Sequence, residues 1–304
     1  MGAVDTCIYG GDPLYSGGQE VIDGLRQSGM TTVVAGSLHV ESSGDLVFNH
    51  RQPLVSAGKY VGEAAWPARM SSLKQAPTSV TRLLLSVGGD GKQDFHHIRQ
   101  LIKEHGTGPD SILRRNFAVL KSTIPAIDGV DFDDEDLGET KTTVTFARLL
   151  HQLDYTVTFC PFNNCSFWVE CLQELNGQTP GLVSGFNLQC YSGGAGNTPG
   201  PWIEAVAEAM GPDFDAKGFV RPGFKCRRGA DCTEGDCPGS IEETLREWSS
   251  SGIQGGWVWR LDWVLRCERS GSCSGQPMGV AAYAQAIAHG VERGGAGSTG
   301  AAPS

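Results

Sequence analysis

The stretch that decides the fold is "AIDGVDFDDEDLGE", residues 126–139, where apolar residues alternate with carboxylic acids. Its centre, "GVDFDDE" (129–135), has the period-two pattern of a strand. Val130 and Phe132 share one face, and Asp131, Asp133 and Glu135 share the other. Burying three carboxylates side by side is costly in an apolar core, so the acid face needs polar surroundings. A closed parallel barrel supplies them, because outward side chains pack under helices while inward ones climb towards the C-terminal mouth, where barrel enzymes hold their chemistry. Three carboxylates on one inward column repel each other, and at least one is expected to keep a proton near neutral pH. A carboxylic acid held in that state can act as a general acid. An acidic surface loop does not fit the regular Ile127, Val130 and Phe132, and "DFDDED" lacks the Gly that a calcium loop requires at its sixth position.

The rest of the chain supports a barrel. Further strand candidates are "DTCIYG" (5–10), "TTVVAG" (31–36), "RLLLSVGG" (82–89), "YTVTFC" (155–160), "SGFNLQCY" (184–191), "GFVRPGF" (218–224) and "GGWVWRL" (255–261). Helical-period segments run at 20–28, 95–105, 111–122, 142–153, 167–175, 202–210, 241–250 and 280–293. Eight strands alternating with helices predict an α/β fold, a (β/α)8 TIM barrel in a single domain at 1–293 without an inserted α+β domain. The segment 225–240, after strand 7, is too short to be such a domain. The tail "GGAGSTGAAPS" (294–304) reads as a flexible linker.

The chain has 304 residues and a formal net charge of −10, which argues against nucleic-acid partners. No apolar run is long enough to span a bilayer, no secretory h-region opens the given sequence, so that a leader is expected to have been removed, and a monomer is expected. Ten cysteines without a CxxC spacing favour disulfides in an oxidising, extracellular setting over a zinc site, so neither a metal nor another cofactor is expected. The pairing is not readable, although Cys267 and Cys273 could close a short loop. The adjacent His96 and His97 point apart on a helix and read as a solvated helix start.

The acid motif, Asp128-x-x-Asp131-x-Asp133-x-Glu135, resembles the signature of glycoside hydrolase family 18, the chitinases and endo-β-N-acetylglucosaminidases. Three further stretches agree in order. "LLLSVGG" is similar to the family's strand-3 motif, with Ser86, Gly88 and Gly89 in place, although Asp90 stands where an aromatic is usual. "FNLQCYS" looks like strand 6 of the compact plant-type members, with Asn187, Gln189 and Tyr191 on one face; Ser192 follows where others have Asp. "GGWVWRLDW" is similar to the strand-8 motif whose Trp floors the sugar site, at Trp259, with Trp257 of the same parity as the alternative.

The resemblance covers nearly the whole chain and implies a substrate-assisted, retaining mechanism. In it, Glu135 protonates the glycosidic oxygen and the substrate's own acetamido group attacks to form an oxazolinium. Asp133 supports that cation, Asp131 shares a proton with Asp133, and Tyr191 orients the acetamido carbonyl. Gln189, Asn187, Trp259, Trp257, Tyr9, Ser86 and Gly88 are the implied substrate-binding residues. The implied partner is a carbohydrate, and the leading activity is that of an endo-acting chitinase. The alternative is an endo-β-N-acetylglucosaminidase cutting the chitobiose core of N-glycans, since a second acid precedes the Glu. A non-catalytic chitin lectin is disfavoured because Glu135 is present.

Overall fold

The computed structural model describes residues 4–49, 51–191, 196–269, 272–273 and 275–295. Eight parallel strands form its centre: strand 1 (Asp5–Gly10), strand 2 (Thr32–Val40), strand 3 (Arg82–Gly88) and strand 4 (Gly129–Asp133). Strand 5 (Thr156–Phe159), strand 6 (Val183–Gln189), strand 7 (Val220–Lys225) and strand 8 (Gly255–Trp259) complete it. Each pairs with the next, and strand 1 pairs with both strand 2 and strand 8, so the sheet closes. The eight expected strands and the eight helical-period segments all correspond to observed elements. The 294–304 tail lies almost wholly outside the described residues.

Three differences have local causes. Strand 2 runs on to Val40, and its end pairs with an antiparallel ribbon, Leu46–Phe48 with Pro53–Ser56, that the sequence pattern does not reveal. These strands are short and find partners only by extending a barrel strand. Strand 8 stops at Trp259, and Leu261 opens a helix, Leu261–Glu268, instead of continuing the strand. Strand 4 ends at Asp133, two positions before Glu135, because Asp134 turns the chain: its carboxylate accepts from the amides of Asp136, Leu137 and Gly138 at 3.3, 2.9 and 3.0 Å.

Strand parity divides the core into two shells. The outward shell is apolar: Phe132 stacks on Phe146 at 5.0 Å and meets Phe95 and Phe159 edge-on or tilted. The inward shell is polar at the bottom, where Arg221 pairs with Asp5 at 2.6 Å and Arg82 reaches Ser184. Above them the Trp257 indole lies across the axis, donating to the Arg221 carbonyl at 3.1 Å. Gly223 makes room for it, since a Cβ there would sit 2.0 Å from the ring.

Two disulfides join Cys232 to Cys267 and Cys237 to Cys273, pinning the segment after strand 7 to the segment after strand 8. The expected short Cys267–Cys273 loop is therefore not closed. Each bridge spans 35 or 36 residues, for which loop-closure entropy is worth roughly 4 kcal/mol. The other six cysteines are free thiols. His97 bonds the Val40 carbonyl at 2.7 Å, so it ties a helix to strand 2 instead of facing solvent.

Gly223→Ala is expected to destabilise the protein by about 1–3 kcal/mol, because the methyl must displace a buried indole. A urea titration checks it: the midpoint falls while the slope stays unchanged.

Candidate active site

The inward column of strand 4 ends in a chain of carboxylates, each in a different environment. Asp131 is fully buried. It accepts from Thr158 at 2.6 Å, Tyr9 at 2.9 Å, Asn187 at 3.0 Å and Ser86 at 3.3 Å. Those donors come from four other strands. Burial pushes the Asp131 carboxyl up, and the four hydrogen bonds work against that rise.

Asp133 lies one step nearer the mouth, 5% exposed. Burial, the charge of Glu135 and the charge of Asp131, in that order, push its carboxyl well above the ordinary aspartate range. Its side chain is in hydrogen-bond contact with that of Glu135. Asp131, expected to share a proton with Asp133, is engaged by four neutral donors, and the side-chain contact of Asp133 is with Glu135. Gln189 donates to both members of the pair, at 3.0 Å to Asp133 and 3.0 Å to Glu135. Two acceptors on one atom fix the amide nitrogen on this side. Glu135, carried over the mouth by the Asp134 turn, is half-buried.

The backbone of strand 3 closes in from the side. The Gly89 amide donates to the Asp133 carbonyl at 2.8 Å, and Gly88 has φ +115° with its missing Cβ position 2.1 Å from that carbonyl. Only glycine allows both the torsion and the approach.

At the rim, Trp259 and Tyr191 are half-buried, with Trp259 5.5 Å from the Tyr9 ring. Burial, then Cys160, Asp133 and Glu135, push the Tyr191 hydroxyl up, so it stays protonated.

Not every sequence-predicted residue reaches the mouth. Glu135, Tyr191 and Trp259 do. Tyr9, Ser86, Asn187 and Trp257 are at most 2% exposed. The first three support Asp131 from below, and Trp257 fills the axis. Asp128 sits apart, paired to Lys74 at 2.5 Å and accepting the Leu83 amide at 2.8 Å. Ser192 lies outside the described residues, and Asp90 is exposed. Thr158, Cys160 and Lys225 belong to the inward columns and are not among the expected site residues, although the alternation of "YTVTFC" and "VRPGFK" points to all three. A cavity of about 780 Å³ lined by Glu20, Leu25, Leu261 and Leu265 lies among the outer helices, away from the carboxylates.

A buried carboxylate thus lies beneath a close pair of carboxyl groups in the mouth of a parallel barrel, where barrel enzymes hold their chemistry, with aromatic rings at the rim. No protein-family model matches the chain, and no curated protein matches it in sequence. Solved structures do match in fold. A GH18 chitinase from the chitin utilization locus of Flavobacterium johnsoniae is 13% identical, with 94% of each chain covered and a TM-score of 0.59. The catalytic domain of a hyperthermophilic chitinase from Pyrococcus furiosus is 10% identical over 96% of each chain, TM-score 0.62. Human YKL-39, a pseudo-chitinase with retained chitooligosaccharide binding, is 12% identical over 97% of this chain and all of its own, TM-score 0.61. The chain thus has the (β/α)8 fold of glycoside hydrolase family 18 catalytic domains.

The raised affinity of Asp133 for its proton has a thermodynamic consequence. The folded protein keeps it where the unfolded chain would release it, so its contribution to stability is complete below the ordinary value of 3.8 and is lost as pH rises through the raised one. Asp133→Asn mimics the protonated acid. It is expected to raise Tm above wild type at neutral pH, with the difference closing below pH 3.8, in melts recorded across that range.

Proposed function

We propose that this protein is a family 18 glycoside hydrolase, an endo-acting chitinase that cleaves β-1,4-linked N-acetylglucosamine polymers with retention. The observation that carries the reading is the Asp131–Asp133–Glu135 column, with Gln189 bridging Asp133 and Glu135 at 3.0 Å each and the Asp133 carboxyl raised by burial and by its two acidic neighbours. Glu135, on a turn at the mouth, protonates the glycosidic oxygen. The acetamido carbonyl oxygen of the sugar on Trp259 attacks its own anomeric carbon, so the nucleophile belongs to the substrate. The proton lying between Asp133 and Glu135 is the one delivered: it moves to Glu135 and on to the glycosidic oxygen, leaving Asp133 as a carboxylate that accepts the acetamido N–H and stabilises the oxazolinium. Tyr191 donates to the acetamido oxygen. Asp131, held by its four donors, keeps the negative potential beneath the site. Water then opens the oxazolinium with Glu135 as base.

Catalysis over mere sugar retention is favoured because all three acids are present in one connected column. Holding the acetamido group against the anomeric carbon supplies effective molarity that a bimolecular nucleophile lacks. The catalytic unit is the barrel at 1–293, and the two disulfides are compatible with secretion. The endo-β-N-acetylglucosaminidase reading loses its specific support, since the second acid, Asp134, is bound to three backbone amides of its own turn.

Glu135→Gln is expected to lower hydrolysis of a fluorogenic chitobioside by on the order of 10²–10⁴ or more while leaving the melting curve and oligosaccharide binding nearly intact. Substantial residual turnover would place the acid elsewhere. Product analysis on chitin oligomers and on a high-mannose glycoprotein decides the substrate: oligomer cleavage from the interior, with the first product formed as the β-anomer, is the expected result.

A further inference from the structure

One charged side chain at the mouth has no part in the chemistry above. Lys225 ends strand 7, and in the inward column Arg221, Gly223, Lys225 it alone reaches the rim, because Arg221 is held below and Gly223 has no side chain. It is in register with Trp259 on strand 8. Its ammonium stands 5.0 Å from the centre of the Tyr191 ring. Lys225 thus lies between the two aromatic side chains that wall the proposed sugar site.

Its backbone is fixed. The Lys225 carbonyl accepts the Asp236 amide at 2.7 Å, and Cys226 donates to the Trp259 carbonyl at 2.8 Å. The loop that follows is pinned by both disulfides. Arg228, the cation that acts on it, pairs with Glu234 at 2.9 Å. Lys225 has no ion-pair partner among the described residues. Burial, then Arg228, push its ammonium below the ordinary lysine range, and Glu135 and Asp90 across the mouth work against that fall.

We infer that Lys225 is a specificity-determining residue, whose ammonium selects uncharged N-acetylated sugar units and repels the cationic amine of deacetylated units lying against Tyr191 and Trp259. The inference rests on the proposed action on N-acetylglucosamine polymers. A unit cation in a partly desolvated mouth interacts strongly enough with a second one to shift affinity about tenfold. The interaction is screened by salt. A neutral acetamido group meets no such repulsion and can accept from the ammonium. A polysaccharide with mixed acetylation would thereby be sorted at binding, before the chemistry that needs the acetyl group.

The test is calorimetric binding in a Glu135→Gln background, where neither ligand is turned over. The ligands are the fully acetylated and fully deacetylated tetramers of the same sugar. Lys225→Gln and Lys225→Met are expected to cut the preference for the acetylated tetramer about tenfold, chiefly by tightening the deacetylated one. Lys225→Arg should keep the preference, and raising the salt concentration should narrow the gap between the lysine protein and its neutral variants. An unchanged preference in both neutral variants, or Lys225→Arg behaving like Gln, overturns the inference. Failure of the unmodified protein to hydrolyse acetylated oligomers would instead overturn the proposed activity, whatever the Lys225 variants do.

Discussion

A carboxylate at the centre of a protein must be held by donors, and Asp131 sets that requirement for the whole barrel. Its two oxygens receive Thr158, Tyr9, Asn187 and Ser86 from strands 5, 1, 6 and 3. No pair of neighbouring strands could supply that set. Only a closed sheet brings four strands to one point on the axis, so the closure of the fold and the solvation of this group are the same event. Removing a donor from such a network leaves a buried acceptor unmet, which is more damaging than the loss of an ordinary surface hydrogen bond.

The acid chemistry follows from the saturation of Asp131. With its lone pairs engaged from below and the sides, it repels charge on Asp133 without offering it a proton. Burial, then the charges of Glu135 and Asp131, push the Asp133 carboxyl up, and Gln189 donates to both Asp133 and Glu135. The column therefore grades from a fully engaged carboxylate, through a buried carboxyl pushed well above the ordinary range, to a half-exposed glutamate. Such a gradient separates roles among chemically similar groups, as in other sites where environment pushes two carboxyls apart.

Packing defends this polar axis from both ends. Below it, Arg221 and Asp5 neutralise each other, and the Trp257 indole caps them through the space that Gly223 leaves. Outside it, the stacked Phe132 and Phe146 exclude water from the back of strand 4. Above it, the disulfide-pinned segment after strand 7 holds the rim that carries Lys225 and faces Trp259. The solved chitinase domains share the barrel at 10–13% identity, so the architecture tolerates wide replacement of side chains outside such constraints.

Much of this is legible in the amino-acid sequence alone. Period-two alternation in "GVDFDDE" places Asp131 and Asp133 inside and Phe132 outside, and the alternation of strands with helices indicates a barrel, because both patterns are local consequences of backbone geometry. The acid motif also singles out Glu135. Tertiary structure alone decides which side chains meet across the axis. It sets Tyr9, Ser86 and Asn187 as buried support around Asp131, buries Trp257 while leaving Trp259 at the rim, and brings Glu135 and Gln189 onto Asp133. It also pairs Cys232 with Cys267 and Cys237 with Cys273. Periodicity along a chain reports which face a residue takes; depth along the axis, and the partner opposite, depend on strand stagger and closure between segments far apart in sequence.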